Sequence, residues 1–535
     1  MLFNSYQFIF AFMPLTLVGF YFVGRISRGA AMNWLILTSL VFYASWRPLN
    51  VLLIAPSIII NYFVGRGLLA LRGTDRKRAA RALLVCGVCF NVAFLGYFKY
   101  TNFLLGTAHD LFGARLEFLQ ITLPLAISFI TFQKIAFLVD VYGGRVDSFT
   151  LREYCLFVLF FPQLIAGPIV HFREVMPQYR AATWRFDATD TSVGLTLFIF
   201  GLFKKVVLAD GLATLVTPLY GAAAHGTELS FVAGWIAAFG FTLQIYFDFS
   251  GYSDMAIGLG RFFGIRLPVN FDSPLKATNI LDFWLHWNMT LTRFLMSYVY
   301  NPLLLALTRR RAAQGRPGFD RRTATFGSYA SMLVFPTMVT MLVSGLWHGA
   351  GYNFALWGLV HGAYISIYHG WRLIRPQRPA AGARFAEARR ALSVAITFVS
   401  VAAAMVLFRA ASVGTAGSIL AAMTGAHGFA VQGPLIQDLG PLVRLHLGPM
   451  GVNALAALWV AGLVSVVLFC PNTLQLLAGY EPALGIYKQA RTRAAGAIEA
   501  LQWRPWFGWA VATSVLAAIS IAQLSGGSEF LYWQF

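Results

Sequence analysis

The residues of this sequence that are best suited to chemistry fall into three stretches where polar side chains interrupt apolar runs. A polar group inside an apolar membrane segment is costly, so each such residue is a functional hypothesis. The first stretch, residues 246–275, holds the candidates Asp248, Ser250, Tyr252 and Asp254. Gly251 and Pro268 would permit a broken helix there. The alternative is an interfacial loop with helix caps, because serine and aspartate favour helix N-termini.

The second stretch, residues 283–300, combines aromatic and polar side chains. Its candidates are His286, Trp287, Asn288 and Arg293. Aromatic residues beside a polar pair could simply form an interfacial belt. Asn288 lies deeper in the apolar run than His286, and a buried amide there needs partners.

The third stretch, residues 344–362, contains two His-Gly pairs. Its candidates are Trp347, His348, Asn353 and His361. The two histidines are much farther apart than the i, i+4 spacing of a zinc site, so we expect no metal. A lone membrane histidine is often a packing residue. His348, however, precedes Gly349, which would let a ligand approach closely, and histidine is the natural general base near neutral pH.

The composition decides the class of protein. The chain has 535 residues, of which 58% are hydrophobic and 12% charged, about half the charged share of roughly 25% in soluble proteins. This excludes a cytosolic enzyme, a disordered chain, a secreted disulfide scaffold and a nucleic-acid binder with a solvated face. The net charge of +20 indicates basic loops on the cytoplasmic side of a bilayer rather than a nucleic-acid partner.

Apolar runs along the chain predict an all-α polytopic membrane protein with about 11–12 transmembrane helices, each near the ~20 residues that a bilayer requires. The runs lie at 1–24, 31–46, 50–71, 80–106, 119–142, 192–219, 229–250, 325–347, 352–371, 391–410, 452–470 and 506–524. We expect a single integral-membrane domain over 1–535, with a catalytic core segment at 246–371.

Basic clusters at 66–81, 309–322, 372–390 and 488–504 predict the orientation. If all four face the cytoplasm, residues 411–450 and both termini lie outside. Both termini lie on the same side only if the number of membrane crossings is even. Two further apolar stretches, 154–170 and 280–308, must then not cross the membrane. We predict that both are re-entrant or buried hairpins, because non-helical backbone at membrane depth must be surrounded by protein or water.

Several long motifs resemble the membrane-bound O-acyltransferase (MBOAT) family, in its bacterial AlgI and DltB branch. The shared motifs are LPLAISFITFQKIAFLVDVY at 123–142, FFPQLIAGPIVHF at 160–172, GLFKKVVLAD at 201–210, the whole of 246–275, WHGAGYNFALWGLVHG at 347–362, LFRAAS at 407–412 and CPNTLQLL at 470–477. They occur in the family's order and cover most of the chain.

The resemblance implies a role for two residues. The family's catalytic histidine lies in a W-H-G-A motif, which matches His348. A second motif usually reads F-W-R-R-W-H in the AlgI branch and here reads FWLHWN at 283–288, so Asn288 takes the histidine position and His286 stands two residues earlier. More distant members carry asparagine there. YVYNPLLLAL at 298–307 also departs from the branch's Y-I-P-L-G-G, which argues against an alginate protein.

The implied function is O-acyl transfer with no bound cofactor. The donor would be a cytoplasmic thioester, acetyl-CoA first among acyl-CoAs. The acceptor would be an extracytoplasmic polysaccharide or a carrier protein, with a separate periplasmic SGNH-type acetyltransferase as partner. The protein would lie in the bacterial inner membrane, and the remaining candidates of the three stretches would line a tunnel to His348. The alternatives are a lipid or peptide acceptor, or a secondary transporter, which would also have broken helices and buried polar residues.

Overall fold

A computed structural model of the chain describes residues 1–113, 117–181, 185–316, 318–320, 324–374, 383–429, 449–485, 501–524 and 531. Across these residues the regular structure is helical, apart from an isolated bridge between Pro268 and Leu484. Six helices in the described part are long and apolar enough to cross a membrane: Leu49–Leu71, Lys77–Phe112, Ala188–Ala224, Phe231–Phe262, Phe326–His348 and Phe385–Arg409. The predicted all-α membrane fold is confirmed.

The α-helices that position the rest of the structure follow in chain order. They are α1 (Met13–Gly24), α2 (Arg28–Ala44), α3 (Leu49–Leu71), α4 (Lys77–Phe112), α5 (Ile127–Tyr142), α6 (Leu151–Leu159), α7 (Phe161–Leu164), α8 (Phe172–Ala181), α9 (Ala188–Phe203), α10 (Asp210–Ala224), α11 (Phe231–Phe262), α12 (Ile280–His286), α13 (Met289–Leu295), α14 (Asn301–Ala313), α15 (Phe326–Tyr329), α16 (Phe335–His348), α17 (Tyr352–Ile374), α18 (Ala383–Arg409), α19 (Val413–Met423), α20 (Pro449–Phe469), α21 (Thr473–Leu476) and α22 (Phe507–Ala522). π-helical turns occupy Phe8–Phe12, Lys204–Ala209, Met296–Tyr300 and Ala330–Val334.

The chain packs into two compact units. The first unit contains residues 1–203, 251–269 and 473–529, and the second contains 204–250, 270–472 and 530–535. Each unit therefore gathers segments that are distant in sequence. The single membrane domain over 1–535 and the core segment at 246–371 stay predictions.

Side-chain caps fix where several helices begin. Thr150 and Glu153 form a reciprocal capping box at the start of α6. In the second unit, the Asn279 side chain accepts a hydrogen bond from the backbone N–H of Asp282 and starts α12. Thr325 caps the helix that continues to His348, where the apolar pattern predicts its start. Each cap satisfies an N–H group that the first helical turn leaves without a partner.

The predicted buried hairpin at 154–170 is confirmed. The chain breaks between α6 and α7, and residues 156–172 are all buried. The Gln163 side chain donates to the carbonyl oxygen of Phe157, and the Phe161 N–H donates to the Ser39 hydroxyl. These bonds satisfy the irregular backbone, as a buried break requires.

The predicted hairpin at 280–308 is buried only in its first half. The helices α12 and α13 and the turn between them contribute mostly buried residues, whereas α14 contributes none. The second half, which includes Leu304 and Leu305, is therefore a helix that the second unit does not bury, and the re-entrant alternative stays a prediction.

The predicted break at Gly251 is wrong, since α11 passes through it without interruption. In the first unit the glycines allow two helices to approach closely. A Cβ atom at Gly201 would overlap the carbonyl oxygen of Gly251, and one at Gly258 would lie 2.5 Å from the carbonyl oxygen of Gly194. Small residues allow such backbone contact between membrane helices. The helix ends before Pro268, which lies in the extended segment that follows.

This packing generates a prediction for Gly258→Ala. The added methyl group would overpack the contact between α9 and α11, at a typical cost of about 1–3 kcal/mol. Gly221→Ala is the matched control, because a Cβ atom at Gly221 in α10 meets nothing within 4 Å and alanine favours the helix. Thermal unfolding in detergent should show a lower midpoint for Gly258→Ala than for Gly221→Ala. Equal midpoints would contradict the glycine contact.

Candidate active site

The helices α16 and α17 form an antiparallel pair held together by glycines in the second unit. A Cβ atom at Gly345 would overlap the carbonyl oxygen of Phe354, and one at Gly358 would overlap that of Met341. The backbones can touch at these points only because both positions are glycine. The pair carries two predicted site residues, His348 at the end of α16 and His361 within α17.

His348 lies in an aromatic environment and is only 4% exposed. Its ring centroid lies 4.9 Å from that of Trp347, 5.1 Å from that of Trp357 and 5.2 Å from that of Phe408. Because these rings bury the imidazole, any electrostatic interaction that it makes with a reacting group is stronger than in water.

The structure gives Gly349 a different role from the predicted one. The prediction is that glycine lets a ligand approach His348. A Cβ atom at Gly349 would instead overlap the Phe354 ring. Gly349 has an extended backbone, with φ −155°, so any residue could adopt its conformation. The position therefore requires glycine for the packing of Phe354.

His361 is fully buried among rings, with 0% exposure. Its ring centroid lies 4.8 Å from that of Trp357, 5.2 Å from that of Trp284 and 5.8 Å from that of Tyr364. Within the described part of the chain, neither of its ring nitrogens has a hydrogen-bond partner. Buried polar atoms are normally paired, so the imidazole has hydrogen-bonding capacity that these residues leave unused.

Asn288 occupies the turn between α12 and α13 and is 1% exposed. Its backbone is left-handed, with φ 42° and ψ 53°. Its side-chain Nδ2 has no partner among the residues that the structure describes. The neighbouring Met289 N–H donates to the Asn270 carbonyl oxygen, and the Thr290 hydroxyl donates to the Asn270 side chain. The turn is thus fixed while the Asn288 amide group keeps a donor available.

His286 has structural partners instead. Its Nδ1 lies 2.7 Å from the backbone carbonyl oxygen of Asp282, and its Nε2 lies 4.0 Å from a carboxylate oxygen of Asp272. Its own carbonyl oxygen accepts from the Asp272 N–H. Of the two residues that the sequence left as alternatives, Asn288 is therefore the one with an unused polar atom.

The aromatic and amide candidates near the two histidines mainly support the packing. Trp287 is buried, and its ring lies 5.1 Å from that of Phe271 and 5.3 Å from that of Phe283. The Asn353 side chain donates to the carbonyl oxygen of Ala410 and so ties the start of α17 to the end of α18. Arg293 lies half-buried on α13.

The four candidates of the first stretch lie on α11. Asp248 lies in the second unit, where its carboxylate pairs with Lys205 at 2.8 Å and accepts from the Leu531 N–H. Lys205 also pairs with Asp210 at 2.7 Å. The buried lysine was missed as a site residue, although a lysine within an apolar run is the signal that finds it. The triad satisfies its own charges.

The remaining candidates of that stretch differ in their partners. Ser250 is buried in the second unit, and its hydroxyl has no partner among the described residues. In the first unit, the Asp254 carboxylate accepts from the Thr473 hydroxyl, and the Tyr252 ring stacks on that of Phe3 at 4.8 Å. Asp254 and Tyr252 therefore stabilise the packing of the first unit.

A cavity of about 600 Å³ lies in the second unit beside α17 and α18. Its lining combines aromatic side chains, hydroxyl groups and two arginines: Thr278, Asn279, Ile280, Tyr364, Ile367, Tyr368, Trp371, Ala386, Arg389, Arg390, Ser393, Ile396, Thr397 and Ser400. The sequence indicated Arg389 and Arg390 only as topology signals. The cavity was missed because its walls come from three separate segments. Across the described ranges, no cluster of three or more His, Cys, Asp or Glu side chains could hold a metal ion.

Tyr364 joins this cavity to the histidines. It lines the cavity and also contacts His361. His361 contacts Trp357, and Trp357 contacts His348. A continuous series of rings therefore leads from the cavity wall to His348, and all of its members lie on α16 and α17.

Comparison with known proteins identifies relatives over as much as four fifths of the chain. A family model described as MBOAT, membrane-bound O-acyltransferase family, matches residues 145–315. This range includes Asn288 and ends before His348. The chain is 37% identical over 461 residues to the peptidoglycan O-acetyltransferase of Helicobacter pylori, covering 80% of each chain.

Two further relatives broaden the comparison. The chain is 35% identical to the "probable alginate O-acetylase AlgI" of Pseudomonas aeruginosa over 79% of this chain and 75% of the relative. It is 28% identical to the teichoic acid D-alanyltransferase of Streptococcus thermophilus over 53% of this chain and 68% of the relative. With apolar helices and close similarity over four fifths of its length, the chain belongs to the membrane-bound O-acyltransferase family and is a multi-pass membrane O-acyltransferase.

Proposed function

We propose that this enzyme transfers an acyl group, with acetyl as the first candidate, from a cytoplasmic thioester to a hydroxyl group outside the cytoplasm, and that His348 is the general base. The observation that carries the proposal is the buried His348 imidazole at the end of α16, enclosed by Trp347, Trp357 and Phe408. An imidazole accepts protons near neutral pH, and a dry site raises the strength of its interactions.

The cavity beside α17 and α18 supports a phosphate-bearing donor such as acyl-CoA. Arg389 and Arg390 belong to a basic segment that we assign to the cytoplasmic side. A guanidinium group can bind two phosphate oxygens at once through two N–H donors. The aromatic rings of Tyr368 and Trp371 are suited to stacking on the planar base of such a donor. Tyr364 connects the cavity wall to His361 and thence to His348, which gives the thioester arm a direction of approach.

The names of the relatives support a polymer as acceptor. They refer to peptidoglycan, alginate and teichoic acid, each of which bears hydroxyl groups. We extend this acceptor class to the present chain. We place the chain in the inner membrane, with both of its termini on the extracytoplasmic side. A carrier protein, or a periplasmic SGNH-type partner, would complete the transfer where the polymer itself does not reach the site.

The proposed reaction is a direct acyl transfer. The acceptor hydroxyl oxygen attacks the thioester carbonyl carbon while His348 takes the hydroxyl proton. The Asn288 Nδ2 donates a hydrogen bond to the carbonyl oxygen as negative charge develops there. The carbon–sulfur bond then breaks, the thiolate takes the proton from the imidazolium ion, and the products are an ester and a thiol.

The test of this proposal begins with His348→Ala. Loss of a general base typically lowers the rate about 10²–10⁴-fold, so the variant should express, bind acetyl-CoA and show that loss. His361→Ala is the matched control: we expect a smaller loss of activity and a lower thermal midpoint, because its ring fills a buried site. Turnover is measured with purified protein, and the acyl content of cell-surface glycans is measured by mass spectrometry. Parent-like turnover in His348→Ala would refute the proposal.

The left-handed backbone at Asn288 permits a test that separates fold from chemistry. Asn288→Gly should keep the thermal midpoint, since glycine adopts this conformation without strain, but lower turnover strongly by removing the amide. Asn288→Ala should lose both, because alanine is strained there by about 1–2 kcal/mol. Asn288→His should keep partial activity. If Asn288→Gly turns over at the parent rate, the amide has no role in the reaction.

The orientation and the donor site can be tested together in a chain whose four native cysteines are replaced by serine. Ser393→Cys places a thiol in the cavity wall, and Ala411→Cys is the control beyond the other end of α18. An impermeant thiol reagent should label position 411 in intact cells, and position 393 only in inside-out vesicles. Acetyl-CoA should protect position 393. Labelling of 393 from outside would overturn the orientation, and labelling without protection would overturn the donor site.

A further inference from the structure

Ser344 carries a buried hydroxyl that differs from two buried hydroxyls on the paired helices α16 and α17, those of Thr340 and Ser366. Its side chain is 0% exposed, and its Oγ has no hydrogen-bond partner in the described part of the chain. On the same helix, the Thr340 hydroxyl donates to the carbonyl oxygen of Pro336 at 2.7 Å. On α17, the Ser366 hydroxyl donates to that of Gly362 at 2.8 Å. Thr340 and Ser366 thus satisfy their hydroxyl groups within their own helices, whereas Ser344 does not.

The position of Ser344 places this hydroxyl near the proposed base. Ser344 and His348 are four residues apart on α16, so they lie on one face with Cβ atoms about 5–6 Å apart. The contact of Gly345 with the Phe354 carbonyl fixes the rotation of α16 about its axis. A molecule that contacts the His348 imidazole is therefore within reach of the Ser344 hydroxyl.

We propose that Ser344 is a further catalytic residue, which donates a hydrogen bond to the thioester carbonyl oxygen in the transition state. The inference rests on the proposed role of His348. The attacking hydroxyl gives its proton to the imidazole. The carbonyl oxygen can only accept hydrogen bonds, and it gains negative charge during the attack. Beside the rings of Trp357 and Phe408, the Asn288 amide is the one donor already proposed for that oxygen. Electrostatic stabilisation there requires donors held in place beforehand, and Ser344 would supply a second one.

The step balances without any further reactant. The acceptor oxygen bonds to the carbonyl carbon, its proton moves to His348, and the carbonyl electron pair moves onto the oxygen that Ser344 contacts. When this pair returns, the carbon–sulfur bond breaks and the thiolate receives the proton from His348. Ser344 keeps its own proton throughout, so it acts as a hydrogen-bond donor and not as a nucleophile.

The experiment compares Ser344→Ala with Ser366→Ala, both in the full-length detergent-purified protein with acetyl-CoA as donor. Ser344→Ala should lower kcat about 10²-fold, the usual effect of losing one such donor. Its KM for acetyl-CoA and its thermal midpoint should stay at the parent values, because the hydroxyl has no partner to lose. Ser366→Ala should keep the parent kcat. Ser344→Cys, which retains a weaker donor of similar shape, should fall between the parent and alanine.

The outcomes separate this inference from the proposed function. If His348→Ala is inactive while Ser344→Ala has the parent kcat, the role of Ser344 is wrong and that of His348 stands. If both variants have parent turnover, the proposed function itself fails. A Ser344→Ala protein with a lower thermal midpoint and a Ser344→Cys protein with parent kcat would indicate a packing role and overturn the inference.

Discussion

The contact between α16 and α17 is the constraint on which the geometry of the site depends. In the hydrocarbon core of a bilayer there is no hydrophobic effect to drive helices together. Close packing and backbone contact must therefore provide the attraction between them. Gly345 and Gly358 allow the two backbones to touch, and this contact aligns the side chains that lie above and below it. His348, Trp357 and His361 meet as neighbouring rings because the two helices cannot rotate or separate without losing that contact.

The polar groups of the second unit divide into two kinds. Lys205, Asp210 and Asp248 neutralise one another in a buried triad, and such a triad holds a conformation because removal of one charge would leave another uncompensated. Asn288, Ser344 and His361 instead retain atoms without a protein partner in the described residues. Buried polar atoms are normally paired, so each unpaired one calls for an explanation. The proposals for Asn288 and Ser344 give that explanation as hydrogen bonds to a reacting molecule.

The sequence allowed the class of fold to be predicted. It also marked His348 and Asn288 as site candidates, because a polar residue within an apolar run is visible in the sequence alone. The partners of the other polar residues were not predictable in this way. Asn353 is a structural residue only because the carbonyl oxygen of Ala410 lies beside it. Two glycine predictions also differ from the structure: Gly251 lies inside the unbroken helix α11, and Gly349 is explained by the neighbouring Phe354 ring.

The cavity illustrates the same limit at a larger scale. Its walls come from residues 278–280, from α17 and from α18, and nothing in the sequence of any one of them indicates a recess. Hydropathy describes α18 as a membrane span, and the charge pattern describes Arg389 and Arg390 as topology signals. Only the packing of the segments brings those arginines to the same space as Tyr364.

The backbone at Asn288 also bears on how such enzymes diverge. A left-handed conformation acts as a filter on mutation, because among side chains with a Cβ atom it is occupied mainly by asparagine, aspartate and histidine. Two of these three carry a hydrogen-bond donor at neutral pH in their common forms. A single substitution of asparagine by histidine, or the reverse, can therefore occur at this turn without straining the fold. Lineages of the family can alter the polar side chain at this position without rebuilding the turn that presents it.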